Sequence, residues 1–178
     1  MTVWKYLQDA PIQNHYFPPH VWAARWGTFL ERLGRKVLFS RKLEFGKLFP
    51  GVEIMSSDVC TNKRDNRILT PGMEMINCDL VIIYHCKNKE GFEKKAIAFE
   101  IKSGASTISA KHVAYWRHLL NNPGEYIKKC NEIRLMVMWI LSMDAEGRTL
   151  CYTLKEVKSD EIPPADVHFL DGLYNLKI

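Results

Sequence analysis

Three polar side chains interrupt two apolar runs between residues 77 and 104, and their types suit metal-assisted hydrolysis. The first run is Asn77-Cys78-Asp79-Leu80-Val81-Ile82-Ile83-Tyr84, and the second is Ala96-Ile97-Ala98-Phe99-Glu100-Ile101-Lys102-Ser103-Gly104. The charged, glycine-containing residues 87–95 join them, which predicts two adjacent strands of a hairpin. Alternation sets Ile97, Phe99 and Ile101 on one face, taken as the core, and Ala96, Ala98, Glu100 and Lys102 on the other. Asp79 and Glu100 would offer hard oxygen ligands to Mg²⁺ or Mn²⁺, with the Lys102 ammonium close by. Phosphodiester hydrolysis needs such a set. A divalent cation neutralises charge growing on the non-bridging oxygens, stabilises the leaving 3′ oxygen and acidifies a bound water. Lys102 would act as base or as electrostatic clamp, its charge offset by the carboxylates and the substrate phosphate.

Other elements must position these groups. Residues 20–34 carry Trp22, Trp26, Phe29, Leu30 and Leu33 at helical spacing, with Pro19 near the first turn and Gly34 as the stop. The opposite side of that helix holds Ala24, Gly27 and Glu31. Glu31 is a candidate third carboxylate, competing with an ordinary solvated helix glutamate. Residues 36–45, with Val37, Phe39, Leu43 and Phe45, read as a strand, and residues 52–59 as another. Between residues 60 and 75 the chain turns polar and basic, and Lys63, Arg64 and Arg67 either track phosphates or belong to a solvated loop.

After the hairpin, residues 109–120 predict a helix with Val113, Trp116, Leu119 and Leu120 inward. Lys111 and Tyr115 are its candidates for contact with a phosphate backbone, while His112 and His118 read as surface or capping groups. Asn122-Pro123 predicts a short helix ending near Cys130. Residues 133–143 are almost wholly apolar, the pattern of a strand buried on both faces and taken as central to the sheet. Residues 149–155 predict its partner, and residues 167–170 an edge strand.

The chain has 178 residues, 47% of them hydrophobic, enough for one domain over residues 1–178 with its own core. Residues 1–19, with Trp4, Tyr6, Tyr16 and Phe17, read as an N-terminal arm packed on the body. No apolar run reaches the roughly 18 to 20 residues that span a bilayer, and the first residues lack the layout of a secretion signal. The expectation is a soluble, intracellular, cytoplasmic protein without membrane partners. Cys60, Cys78, Cys86, Cys130 and Cys151 show no compact ligand spacing and read as free thiols. A net charge of +5 permits a polyanionic partner without demonstrating one.

The order helix, strands, Asp79-bearing strand, Glu100-Ile101-Lys102 strand, helix, buried strand resembles the PD-(D/E)XK nuclease superfamily, which includes restriction endonucleases and Holliday junction resolvases. The resemblance covers roughly residues 20–141 and includes Gly27-Thr28-Phe29-Leu30-Glu31, similar to the helix glutamate of many members. It implies an α/β fold: a central mixed β-sheet flanked by helices, with a restriction-endonuclease-like αβββαβ core. It implies Asp79, Glu100 and the Ile101 carbonyl as ligands of Mg²⁺ or Mn²⁺, Glu31 as an outer or second-metal ligand, and Lys102 assisting the attacking water. Cys78 stands where the family often has proline, and Lys111 where the exonuclease branch has a glutamine four residues before tyrosine. The expected function is a metal-dependent nuclease, a DNA endonuclease first of all, with homodimerisation suited to cutting two strands. Two other readings compete: a nucleic-acid-binding protein of the same fold that does not cut, and an interaction protein in which Glu100 and Lys102 form a surface pair.

Overall fold

The computed structural model describes residues 19–61, 68–69, 75–76, 78–103, 110–143 and 150–162. Among the described residues the first element is a long helix, α1 (Pro19–Ser40), which runs straight through the glycine read as its stop. Gly34 is buried against the sheet, where a Cβ would lie 3.1 Å from Ile101 Cγ2 and 3.2 Å from Met138 Sδ. Its value is close approach, not termination. Leu33, Val37 and Leu38 carry the apolar stripe of Phe29 and Leu30 onward at helical spacing, so the helix gains burial by continuing.

That overturns the strand expected over residues 36–45. Phe39 and Leu43, two of the alternating residues of that strand, are 51% and 69% exposed, whereas Leu38, which the alternation left out, is fully buried. The chain instead breaks at Arg41 and forms the one-turn helix α2 (Lys42–Gly46). The second expected strand is present as β1 (Glu53–Thr61).

A two-stranded hairpin, β2 (Ile68–Leu69) with β3 (Met75–Ile76), precedes the main hairpin of β4 (Leu80–Asn88) and β5 (Gly91–Ser103). The joining segment is shorter than its charge suggested, because strand pairing continues through Lys87 opposite Phe92 and closes at Asn88 opposite Gly91. Asn88 Oδ1 accepts the backbone N–H groups of Glu90 and Gly91, both at 2.9 Å, and Gly91 takes φ 134°. A side-chain acceptor and a glycine thus make a tight turn in which charged residues on either side remain strand.

From β5 the chain crosses over through α3 (Ala110–Asn121) and α4 (Pro123–Tyr126) to β6 (Cys130–Met143), which pairs parallel with β5. The second short helix stops well before Cys130, since Lys129 adopts φ 62° and turns the chain into β6. Asn122 makes no side-chain cap there. The last strand, β7 (Leu150–Val157), pairs antiparallel with β6 and is followed by a single 3₁₀ turn, Ser159–Glu161. The strand order β1-β4-β5-β6-β7 makes a five-stranded mixed sheet in an α/β protein. Its middle strand is β5; β6, read as central, lies one place toward the edge.

Both faces of the sheet are covered. Phe29, Leu30 and Leu38 of α1 pack on Leu80, Ile82, Ile97, Phe99 and Ile101. On the other face Val113, Trp116 and Leu119 of α3 pack on Val81, Ile83, Ala96, Ala98 and Leu135. The face of β5 that carries Glu100 and Lys102 is therefore core for half its length, a correction to the reading that reserved core for the Ile97 side. All five cysteines are free thiols. Among the described residues no helix is long and apolar enough to cross a membrane. The arm over residues 1–18, the basic segment with Lys63, Arg64 and Arg67, and the strand expected at residues 167–170 lie outside the described residues.

Candidate active site

The site forms where one strand begins and its neighbour continues. Pairing of β4 with β5 starts at Leu80 opposite Phe99, so the same register places Asp79 opposite Glu100. Asp79 is clamped there by two bonds. Its backbone N–H donates to the Phe99 carbonyl at 3.0 Å, and its Oδ2 accepts the Ile101 N–H at 2.7 Å. These partners straddle Glu100. In an extended strand the N–H and C=O of one residue point to the same edge, so the Ile101 carbonyl faces the Asp79 side and not β6.

Glu100 and Lys102 follow Ala96 and Ala98 on the α3 face of β5. Lys102 Nζ donates to Glu100 Oε1 at 2.7 Å. Among the described residues Asp79 and Glu100 are the two buried charged groups, each 5% exposed. Burying two carboxylates near each other on neighbouring strands is unfavourable, which makes them candidates for a functional site and not a stabilising feature.

Their titration shows the strain. Burial pushes Glu100 from its ordinary 4.5 up to about 7; the Lys102 ammonium opposes this, and the negative charges of Asp79 and Glu31 add to it. Burial also raises Asp79, against the Ile101 N–H and the positive charges of Lys102, Arg35 and His112. For Lys102 burial works against the ammonium, but Glu100, Asp79 and Glu31 outweigh it and raise its pKa. The one ion pair thus meets opposite results: burial wins at the carboxylate, and the surrounding negative charge wins at the more exposed amine. Cys78, fully enclosed next to Asp79, is pushed well up by burial and by Glu100 and Asp79.

The helix α1 contributes from the other face. Gly34 rests on Ile101, and a Cβ at Gly27 would come within 3.7 Å of Ser103 Oγ, so the turn between them lies along the end of β5. Glu31 stands in that turn, half-buried, and burial together with Asp79 raises its pKa while Arg35 and Lys102 lower it. Arg35, one turn further on, brings Nη2 to 3.9 Å from Glu31 Oε2. The sequence-derived residues Asp79, Glu100, Lys102 and Glu31 therefore share one electrostatic environment.

Tyr115 packs on the α3-face core and meets Tyr126 edge-on, with ring centroids 5.8 Å apart. His118 is exposed and hydrogen-bonded to the Tyr126 hydroxyl at 2.8 Å. The Lys111 backbone is in α3, but its side chain, like Lys63, Arg64 and Arg67, lies outside the described residues. Two residues join the site that sequence reading had left out. His112, set aside as a surface group, is half-buried with Asp79 in its field. Arg35 was hidden by the misread stop at Gly34, although its place four residues after Glu31 is a helix-face signal once the helix is allowed to continue.

A divalent cation fits this donor set by its chemistry. Mg²⁺ characteristically takes one or two protein carboxylates and keeps several waters. Asp79, Glu100 and the Ile101 carbonyl would hold it, relieving the charge that raises both carboxyl pKa values. Among the described residues no group of three or more His, Cys, Asp or Glu side chains is gathered closely enough to hold a metal ion. Glu31 is accordingly not drawn to one point with the other two. Comparisons with protein-family models, with characterised proteins and with solved structures each return no significant match.

Proposed function

We propose that the protein is a divalent-metal-dependent nuclease of the PD-(D/E)XK type, acting on DNA as an endonuclease. The observation that carries this reading is the clamp holding Asp79 opposite Glu100, with Lys102 bonded to the latter, at the start of β4. The bound cation would supply Lewis acidity toward the phosphate and a more acidic water. Asp79 and Glu100 hold it, and Lys102 keeps a positive charge where negative charge grows on the phosphate. Helix α1, strands β1, β4 and β5, helix α3 and strand β6 follow the order of an αβββαβ core, with β2 and β3 as an insertion, which supports the same reading. A homodimer would place two such centres for cutting both strands.

The test is incubation of the purified protein with linear, circular, single-stranded and four-way-junction DNA in Mg²⁺ or Mn²⁺, beside Glu100→Ala. Lys102→Ala is expected to retain metal and DNA binding and lose cleavage by about 10²-fold or more. Asp79→Asn is expected to keep the fold, since an amide oxygen still accepts the Ile101 N–H, and to lose metal-dependent thermal stabilisation. Asp79→Ala additionally strands that buried N–H, at about 1–3 kcal/mol. Undiminished cleavage by Lys102→Ala or Asp79→Asn would refute the assignment. A second reading is a DNA-binding protein of this fold that does not cut. Metal-independent DNA binding without cleavage by the wild type would establish it.

A further inference from the structure

We propose that the outer edge of β7 is where a second copy of this chain pairs, antiparallel, so that two five-stranded sheets join into one about a two-fold axis at Thr153. The interface is independent of the nuclease reading; only its consequence for cutting rests on that reading. β7 closes the strand order and, among the described residues, pairs with β6 alone. Such an edge is a template for another strand unless something spoils it. At the opposite edge, β1 is bulged between Ile54 and Ser56 and carries the exposed acids Glu53 and Asp58. β7 is not guarded in that way. It holds neither proline nor glycine, and the extra residue in its ladder is Leu141 of β6, not one of its own. Its two charges, Lys155 and Glu156, sit toward one end.

What selects a second copy as the occupant is self-complementarity. With a two-fold axis normal to the sheet at Thr153, Tyr152 of each copy faces Leu154 of the other on the α1 side, where both are half-buried against the core. On the α3 side Cys151 faces Lys155, and Thr153 faces Thr153. Threonine pairs across antiparallel strands are stabilising, and no like charges meet in this register. An axis at Lys155 or Glu156 would set each charge against itself. The Thr153 hydroxyl adds an independent observation. Its Oγ1 is shut off from water and has no hydrogen-bond partner among the described residues. A polar atom in that condition is uncommon, and the axis brings an identical hydroxyl opposite it.

The pairing also fixes where two candidate active sites would lie. A two-fold axis normal to the sheet keeps the faces of both copies aligned, so Glu100 and Lys102 of each would open on the same side of the joined sheet. Glu100 is level with Val137 of β6, and Val137 with Lys155 of β7, two residues from the axis. Five strand spacings of about 4.8 Å and four residues of about 3.3 Å therefore separate the two centres, about 27 Å measured along the sheet. Two like-facing centres at that distance suit one duplex lying over both.

Analytical ultracentrifugation of the full chain tests the interface, with Cys151 as the handle because it is exposed and free. The wild type is expected to form a dimer. Cys151→Lys sets like charges opposite Lys155 twice per dimer and is expected to weaken dimerisation about tenfold at low salt, whereas Cys151→Glu is expected to tighten it, the difference shrinking as salt rises. Register is read by Lys155→Cys under a mild oxidant. Opposed residues of an antiparallel pair lie within disulfide reach, so a covalent dimer through Cys151 of the other copy is expected. Within one chain the two positions are about 13 Å apart and cannot bridge. Adding Cys151→Ser should abolish the cross-link. A monomeric wild type, equal dimer affinity of the Lys and Glu variants, or a cross-link that survives Cys151→Ser would overturn the proposal. A dimer that cuts no DNA keeps the interface and removes the nuclease reading, and cleavage by a monomer does the reverse.

Discussion

Glu100 is an acid held where its charge is costly, and this gives the metal-free protein a pH dependence of definite sign. Burial raises its pKa from 4.5 to about 7, so between those values the folded chain holds more of this proton than the unfolded chain does. Stability from this group is therefore greatest below about pH 4.5 and falls as pH rises to about 7, by at most about 3 kcal/mol. Asp79 and Glu31, also raised, push in the same direction. Glu100→Gln removes the ionisation while keeping the size. The difference in melting temperature between Glu100→Gln and wild type, measured without metal, is expected to grow through that window and level off above it. Addition of Mn²⁺ at pH 8 is expected to raise the wild type and leave the variant unmoved. A difference flat with pH would show that Glu100 is not strained by burial. At this scale much was legible in the sequence, because alternation along Ala96 to Lys102 fixes which side chains share a face. Arg35 and His112 were not, because helices on opposite faces of the sheet bring them to Asp79.

Among the elements, α1 shows best why a local pattern was insufficient. A glycine after an apolar helical stripe is a common terminator, and Val37, Phe39, Leu43 and Phe45 alternate well enough to suggest a strand. What decides otherwise is tertiary: Gly34 fits against Ile101 and Met138, and Leu38 is fully buried only if the helix continues. The hairpin and β6 were easier, since long apolar runs carry their own burial signal, and α3 was clear from Val113, Trp116 and Leu119. The close approach at Gly34 can be tested directly. Gly34→Val would drive a branched side chain into Ile101 Cγ2 and is expected to cost roughly 1–3 kcal/mol. Gly34→Ala is expected to be nearly neutral, since about 1 kcal/mol of helix propensity offsets a tight methyl contact. Joining Gly34→Val to Ile101→Val should recover part of the loss, because valine lacks the Ile101 Cδ1 that would lie 3.4 Å from the new Cβ. Chemical denaturation measures all four proteins. Equal stability of Gly34→Val and wild type would mean that α1 does not sit on the sheet as described.

For the whole molecule the question is whether two apolar layers behave as one. The layers share no side chains, yet both are built on β4, β5 and β6, whose alternate residues point to opposite faces. Loss of either layer would expose one face of the same strands, and the site lies on those strands where α1 and α3 both reach it. Unfolding is therefore expected to be a single transition, whichever face is weakened. Leu38→Ala on the α1 face and Leu119→Ala on the α3 face, both fully buried, are each expected to cost about 2–5 kcal/mol. For a chain of this length each kcal/mol lowers the melting temperature by about 2–4 °C. Circular dichroism, reporting strands and helices, should coincide with tryptophan fluorescence, which includes Trp116 on the α3 side, in both variants. Separation of the two signals in Leu38→Ala, with part of the helical circular dichroism lost before the strands melt, would show α1 leaving on its own. Glu31 and Arg35 would then belong to a detachable helix, and the electrostatic environment they share with Asp79 and Glu100 would exist only while that helix is docked.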